Sequence, residues 1–264
     1  MGNILSNDQL EELKQFRVTT DRTSSTLSVQ IETLLDERSM RQYLGGLGKY
    51  IGAANDKVTA SIFIKRYAFL AVAYLYTMTL YNGKLNISFE NVSLETNDQD
   101  KLWLPNFYFK DLHIETWKEN REKWRETCVH NLFDNHLYPL LDRLSRVTKV
   151  SKLVLWENLA VYIFWLYETI LQKEGLPVDA VSRSKEDFEF ILFQASGALF
   201  GGYNKNPLKK YHNEPIYIEE YGKEVRPRNT CCYSYLTRSK KRCISCPQVC
   251  TACPLVKERK NRGE

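Results

Sequence analysis

The chain predicts a mainly α fold: a helical domain with a small antiparallel β-sheet insertion, followed by a cysteine-rich C-terminal segment. Three observations carry this. Residues 57–81, KVTASIFIKRYAFLAVAYLYTMTLY, are apolar nearly all round, as a buried helix is. Apolar and polar residues alternate only in short runs between about 84 and 110. Six of the seven cysteines, Cys231, Cys232, Cys243, Cys246, Cys250 and Cys253, fall within 230–254. We therefore expect two regions: 1–229, mainly helical with a sheet near 84–110, and 230–264, the cysteine segment with its basic tail.

Taken in order, residues 1–56 read as helix with breaks. Asp8 is a plausible cap ahead of the apolar pair Leu10 and Leu13. The Ser/Thr-rich stretch 19–28 reads as a loop, and 27–35 and 40–51 as helices. Gly45, Gly46 and Gly48 belong to no phosphate-loop pattern, so they mark a turn or a close helix contact. Within the buried helix, Lys65 and Arg66 either reach the surface, pair with a carboxylate, or face a ligand at a pocket rim. Asn82-Gly83 signals a turn. Leu85, Ile87 and Phe89, then Val92 and Leu94, alternate as strands do, and 102–109 adds another that Pro105 confines to an edge or a bend. We expect two to four strands.

Helix returns over 116–146, with Cys128 as a small buried apolar side chain. His130 and His136 are six residues apart and do not share a face; capping or solvated roles are expected for them. Pro139 kinks this helix or starts a new one. A long helix is expected over 152–174, ended by Gly175 and Pro177, and a last one over 184–200, with Ser184 as N-cap and Asp187 completing a capping box. Residues 203–229 read as an extended connector. No charged and apolar leader opens the sequence, and the apolar run 68–81 falls short of the ~20 residues that span a bilayer. No membrane span and a cytoplasmic location are expected. Thiols stay reduced there, so the cysteines are expected to hold metal rather than bridge one another.

The cysteine spacing narrows the chemistry. Cys243 and Cys246 form a C-x-x-C pair that brings two thiolates to one metal from a single turn. Cys231 and Cys232 are adjacent, and neighbouring side chains of an extended chain point apart. One ion takes both only if the backbone bends there. Common zinc knuckles do not use such a pair. The whole pattern, C-C-x10-C-x2-C followed by Pro247, resembles the C-terminal signature of the bacterial FhuF-like ferric siderophore reductases. Phe63-x-Lys65-Arg66-Tyr67, and 136–140 with 155–160, are similar to stretches of the same family. The resemblance implies a [2Fe-2S] cluster on Cys231, Cys232, Cys243 and Cys246. It also implies a mainly helical domain that binds the chelate, one-electron reduction of a ferric siderophore with release of Fe(II), and an electron donor such as a ferredoxin or flavoprotein. Cys250 and Cys253 go beyond the pattern and leave open which C-x-x-C completes the site.

Charge is concentrated near the cysteines. The net charge is +5, with Arg226, Arg228, Arg238, Lys240, Lys241 and Arg242 around the first four thiols. By itself this is a solvated basic tail or a nucleic-acid patch. Around an anionic thiolate cluster, the same cations stabilise it, raise its potential and attract an anionic ferric chelate. Arg226, Arg228, Lys65 and Arg66 are the candidate substrate-binding cations. The sequence contains no catalytic triad, Walker loop or dinucleotide fingerprint, and no recognised nucleic-acid motif. The alternative reading is a zinc-stabilised interaction protein with a basic C-terminal tail.

Overall fold

The computed structural model describes residues 3–248, except 101 and 118. Its centre is the helix Asp56–Tyr81 (α3), preceded by Asn7–Lys14 (α1) and Glu37–Ile51 (α2). The apolar run behaves as its composition demands: nineteen of the twenty-six residues of α3 are buried. Asn55 caps its start by accepting from the Val58 amide, and Asn82 ends it in the left-handed region (φ 48°), so Asn82-Gly83 turns the chain into a strand. Helix α3 packs chiefly against Lys152–Glu168 (α6), whose N-cap is Ser151. Between them in sequence lie Arg121–His130 (α4) and Tyr138–Thr148 (α5); Val178–Glu189 (α7) follows α6. One apolar core runs from Leu5 to Tyr211, and Tyr233 and Leu236 of the cysteine segment pack on its edge.

The strands are short and more widely scattered than the alternation suggests. In chain order they are Asn3–Ile4 (β1), Val18–Thr19 (β2), Val29–Gln30 (β3), Gly83–Leu85 (β4), Val92–Glu95 (β5), Asn106–Phe109 (β6), His113–Thr116 (β7), Ile216–Ile218 (β8) and Lys223–Val225 (β9). Strands β1, β7 and β4 form one antiparallel sheet; β2, β6, β5 and β3 form another, in which β2 runs parallel to β6; β8 and β9 pair alone. Two-residue strands leave too little periodicity to be read from sequence.

Three local expectations are corrected. The expected helix over 116–146 starts at Arg121, because Thr116 belongs to β7. It passes through a π-helical stretch, Asn131–Leu137, into α5 without a break. Pro139 lacks the N–H that would complete a regular turn there, and the wider turn absorbs it. His136 lies on that stretch and is buried, not solvated: its ring stacks on Tyr67 and Phe89, and its Nε2 lies 2.6 Å from the Tyr67 hydroxyl. Ser184 is no N-cap. Pro177 holds that position, the helix starts at Val178, and Ser184 donates to the Val181 carbonyl from the buried face. Asp187, expected in a capping box, is instead fully buried between Arg121 and Arg125.

Membrane-length apolar helices do occur. Residues 56–81 and 152–172 are long and apolar enough to cross a bilayer, but 83% and 67% of their most apolar windows are buried inside the protein, as in core helices. The helix extends past the run 68–81, so burial rather than length sets it apart from a membrane span.

Candidate metal centre

The two longest core helices carry a few polar side chains where apolar ones would pack better, and these hold the cysteine segment. Glu157 and Asn158 are buried mid-helix in α6, and Ser61 is buried in α3. Asn158 donates through Nδ2 to the Ser61 carbonyl (3.0 Å) and hydroxyl (2.9 Å), and accepts from Arg228 Nη2 (2.6 Å). Ser61 in turn donates to the Cys232 carbonyl at 2.8 Å. Glu157 accepts from the Asn229 amide (2.5 Å), the Thr230 amide (2.7 Å) and the Thr230 hydroxyl, with Arg228 Nε 3.5 Å away. A buried carboxylate and guanidinium are costly unless paired and hydrogen-bonded, and here they are both.

A second tie comes from the end of α2. The Arg238 amide donates to the Ile51 carbonyl (2.9 Å), and the Ala54 amide to the Leu236 carbonyl (3.0 Å). Gly52 makes this approach feasible: its φ is +61°, and a Cβ there would sit 3.1 Å from the Arg238 Cβ.

Anchored this way, the adjacent cysteines separate. Tyr233 is left-handed (φ 59°), so the chain bends immediately after them, and a short 3-10 turn, Ser234–Leu236, follows. Cys232 Sγ lies 3.7 Å from Cys243 Sγ, while Cys231 has Cys246 beside it. All four are free thiols, and Cys232 and Cys246 are almost wholly buried. Among the described residues, no three or more His, Cys, Asp or Glu side chains gather around one metal-sized point. The thiols form two pairs instead. Two thiolates on a single tetrahedral metal at about 2.3 Å would stand about 3.8 Å apart, close to the Cys232–Cys243 separation. Two sulfurs per metal and two metals is the ligand set of a [2Fe-2S] cluster, so the donor set fits that group.

The surroundings favour the thiolate at Cys232, whereas burial raises Cys231. The hydrogen bond from Cys243, then the charges of Lys65 and Arg228 and the Ser234 hydroxyl, hold the Cys232 thiol well below its ordinary value against its burial. The same hydrogen bond and burial push Cys243 up. Lys65 Nζ lies 4.0 Å from Cys232 Sγ and 3.2 Å from Ser234 Oγ. Arg242 stacks over Tyr235 at 3.8 Å, with Nη1 4.0 Å from Cys246 Sγ. The Tyr233 amide donates to Cys231 Sγ at 3.4 Å.

The four candidate substrate cations therefore do different things. Lys65 faces sulfur. Arg228 is buried as an anchor. Arg226 pairs with Glu168 at 2.5 Å and lies over the Phe164 ring. Arg226 and Arg228 line a small pocket of about 170 Å³ with their partners Glu168 and Glu157. Arg66 lines another, with Trp103, Tyr50, Ser234 and Arg238, and its buried Nε has no partner among the described residues. That pocket holds about 160 Å³ beside the cysteines. Cys250, Cys253 and the basic tail lie outside the described residues. Ser61, Glu157 and Asn158 were missed from sequence, though the Glu-Asn pair inside an apolar helix was the available signal.

No curated protein matches the chain. A family model described as "Ferric iron reductase FhuF-like transporter" matches residues 61–216, more than half of the chain, beginning at Ser61 and stopping short of the cysteines. The matched stretch takes in α6 and all but the first turn of α3, with Ser61, Glu157 and Asn158, and the chain belongs to the FhuF family.

Proposed function

We propose that the protein is a cytoplasmic ferric siderophore reductase whose Cys231, Cys232, Cys243 and Cys246 hold a [2Fe-2S] cluster. The observation that carries the reading is the pairing of Cys232 with Cys243 and of Cys231 with Cys246, under Lys65, Arg228 and Arg242. Such a cluster supplies a one-electron carrier when bound. The overall reaction adds one electron, from a ferredoxin or flavoprotein, to an Fe(III) chelate. The resulting Fe(II) is held more weakly by the chelate's hard anionic oxygens and leaves.

The chain's own residues prepare the site. Lys65 and Arg228 lower the cost of gathering negative sulfurs. The Tyr233 amide and Ser234 hydroxyl meet two of the sulfurs, and such contacts tune a cluster's potential. Burial of Cys232 and Cys246 keeps water from one side. The Glu157–Arg228–Asn158–Ser61 network sets the position of the segment before any metal binds. The two domains of the reading, 1–229 and 230–264, then act as scaffold and cluster carrier.

Purified anaerobically and reduced, then freed of reductant, the protein should convert a ferric siderophore to Fe(II) captured by ferrozine. Cys232→Ser and Cys243→Ser should lose iron content and this turnover together. Full iron content in Cys232→Ser would overturn the ligand set. Stoichiometric zinc without iron would favour the interaction-protein alternative.

A further inference from the structure

The reading above leaves open where the chelate sits and of what kind it is. The pocket beside Arg66, at about 160 Å³, is too small to enclose a ligand of drug size. A cavity of about 610 Å³ at β4 and β7 carries both signs of charge, Lys84 and His113 with Glu90 and Glu115, and Lys84 is already paired with Glu115 at 2.6 Å. A third cavity differs from both. It holds about 830 Å³ between the start of α6 and the loop after α7. Its walls include Trp156, Tyr203 and Phe193, and its rim has Lys152, Lys205, Lys209 and Lys210. No carboxylate lines it among the described residues. Lys152 is paired with Asp142; Lys205, Lys209 and Lys210 have no ion pair among the described residues.

The cleft is shaped before a ligand arrives. Asn206 Nδ2 donates to the Ile191 carbonyl at 2.7 Å, and its Oδ1 accepts from the Leu208 amide at 2.9 Å, which fixes the loop. The Trp156 indole N–H donates to the Tyr203 hydroxyl at 3.1 Å. That leaves the phenol's own O–H free to donate to a ligand oxygen. Phe193 remains 46% exposed, with Lys209 over its ring.

The cleft also touches the stretch that leads into the cysteines. Trp156, Glu157 and Asn158 are consecutive on α6, so their side chains fan out about 100° apart. Trp156 lines the cleft, while Glu157 and Asn158 hold Asn229, Thr230 and Arg228. Asn229, two residues before Cys231, donates to the Lys210 carbonyl at 2.8 Å. One hydrogen bond thus joins the cleft rim to the cysteine segment.

We propose that this cleft binds the ferric chelate and selects one of net negative charge, with aromatic or apolar arms, over neutral and cationic chelates. The inference rests on the ferric reductase reading. The cations supply the selection, since an anionic chelate meets three unpaired ammonium groups and a cationic one is repelled by them.

Redox-inert gallium separates binding from electron transfer. Calorimetry on the iron-loaded protein would compare a Ga(III) tricatecholate, a net anion, with Ga(III) desferrioxamine B, a net cation. The anion should bind at least about 10-fold tighter. Lys209→Glu should weaken it about 10-fold, and Lys205→Glu with Lys209→Glu about 100-fold, with an unchanged unfolding midpoint because both side chains are exposed. Equal affinity for the two chelates would overturn the charge selection. Binding that ignores both lysine reversals but is lost in Arg66→Glu would overturn the cleft while sparing the reductase reading. Failure of both gallium chelates to bind wild-type protein would count against that reading as well.

Discussion

Arg226 and Arg228 are two residues apart and both touch a glutamate, yet replacing each with Met should give very different results. The Arg228–Glu157 pair is buried, with side chains 4% and 2% exposed. Arg228→Met leaves the Glu157 carboxylate in the interior without its counter-charge and strips Asn158 Oδ1 of its donor. Breaking a buried pair costs about 3–5 kcal/mol. Glu157 keeps its hydrogen bonds from Asn229 and Thr230, so the lower end, about 3 kcal/mol, applies. In a chain of this size that lowers the thermal midpoint by about 6–12 °C. The Arg226–Glu168 pair is 18% and 34% exposed, and its loss should cost under about 1 kcal/mol. Urea unfolding of both variants, with iron analysis of each, separates the cases: Arg228→Met should also lose iron, because the network positions Cys231 and Cys232. Equal and small effects from the two substitutions would refute the anchoring argument.

Lys65→Met removes a charge 4.0 Å from Cys232 Sγ and should lower the midpoint potential of the iron centre on the order of 50 mV, read by redox titration. His136 is held neutral by burial, with its folded value near 3. The unfolded chain takes up that proton near 6.5, so stability from this residue is complete above about pH 6.5 and falls by about 1.4 kcal/mol per pH unit below it. Urea midpoints for His136→Gln should show a flatter dependence between pH 4 and 6 than wild type. Burial pushes the Cys128 thiol up to about 12, so iodoacetamide should leave it unmodified in the folded protein, and Cys128→Ser should not change iron content.

The helical core was legible because α3 and α6 are apolar nearly all round over many turns, as buried helices are. Four of the clustered cysteines come together as pairs, Cys232 with Cys243 and Cys231 with Cys246, and Tyr233 bends the chain just after the adjacent two. What failed was short or non-local. β1, β2 and β3 are two residues each, and their partners lie more than sixty residues away. His136 looked like a surface residue until the π-helical turn carried it inward. Lys65 and Arg66 are neighbours in sequence, but one helical step sends the first to sulfur and the second to a pocket. No sequence pattern brings Lys205, Lys209 and Lys210 together with Trp156, because the fold alone joins the loop after α7 to the start of α6.

The most direct measurement is iron and acid-labile sulfide on oxygen-protected protein, followed by electron paramagnetic resonance after one-electron reduction. The account predicts iron and sulfide in equal amounts, visible absorption that bleaches on reduction, and a paramagnetic signal lost in Cys243→Ser. Folded protein with neither iron nor sulfide, or iron that survives in Cys243→Ser, would contradict it.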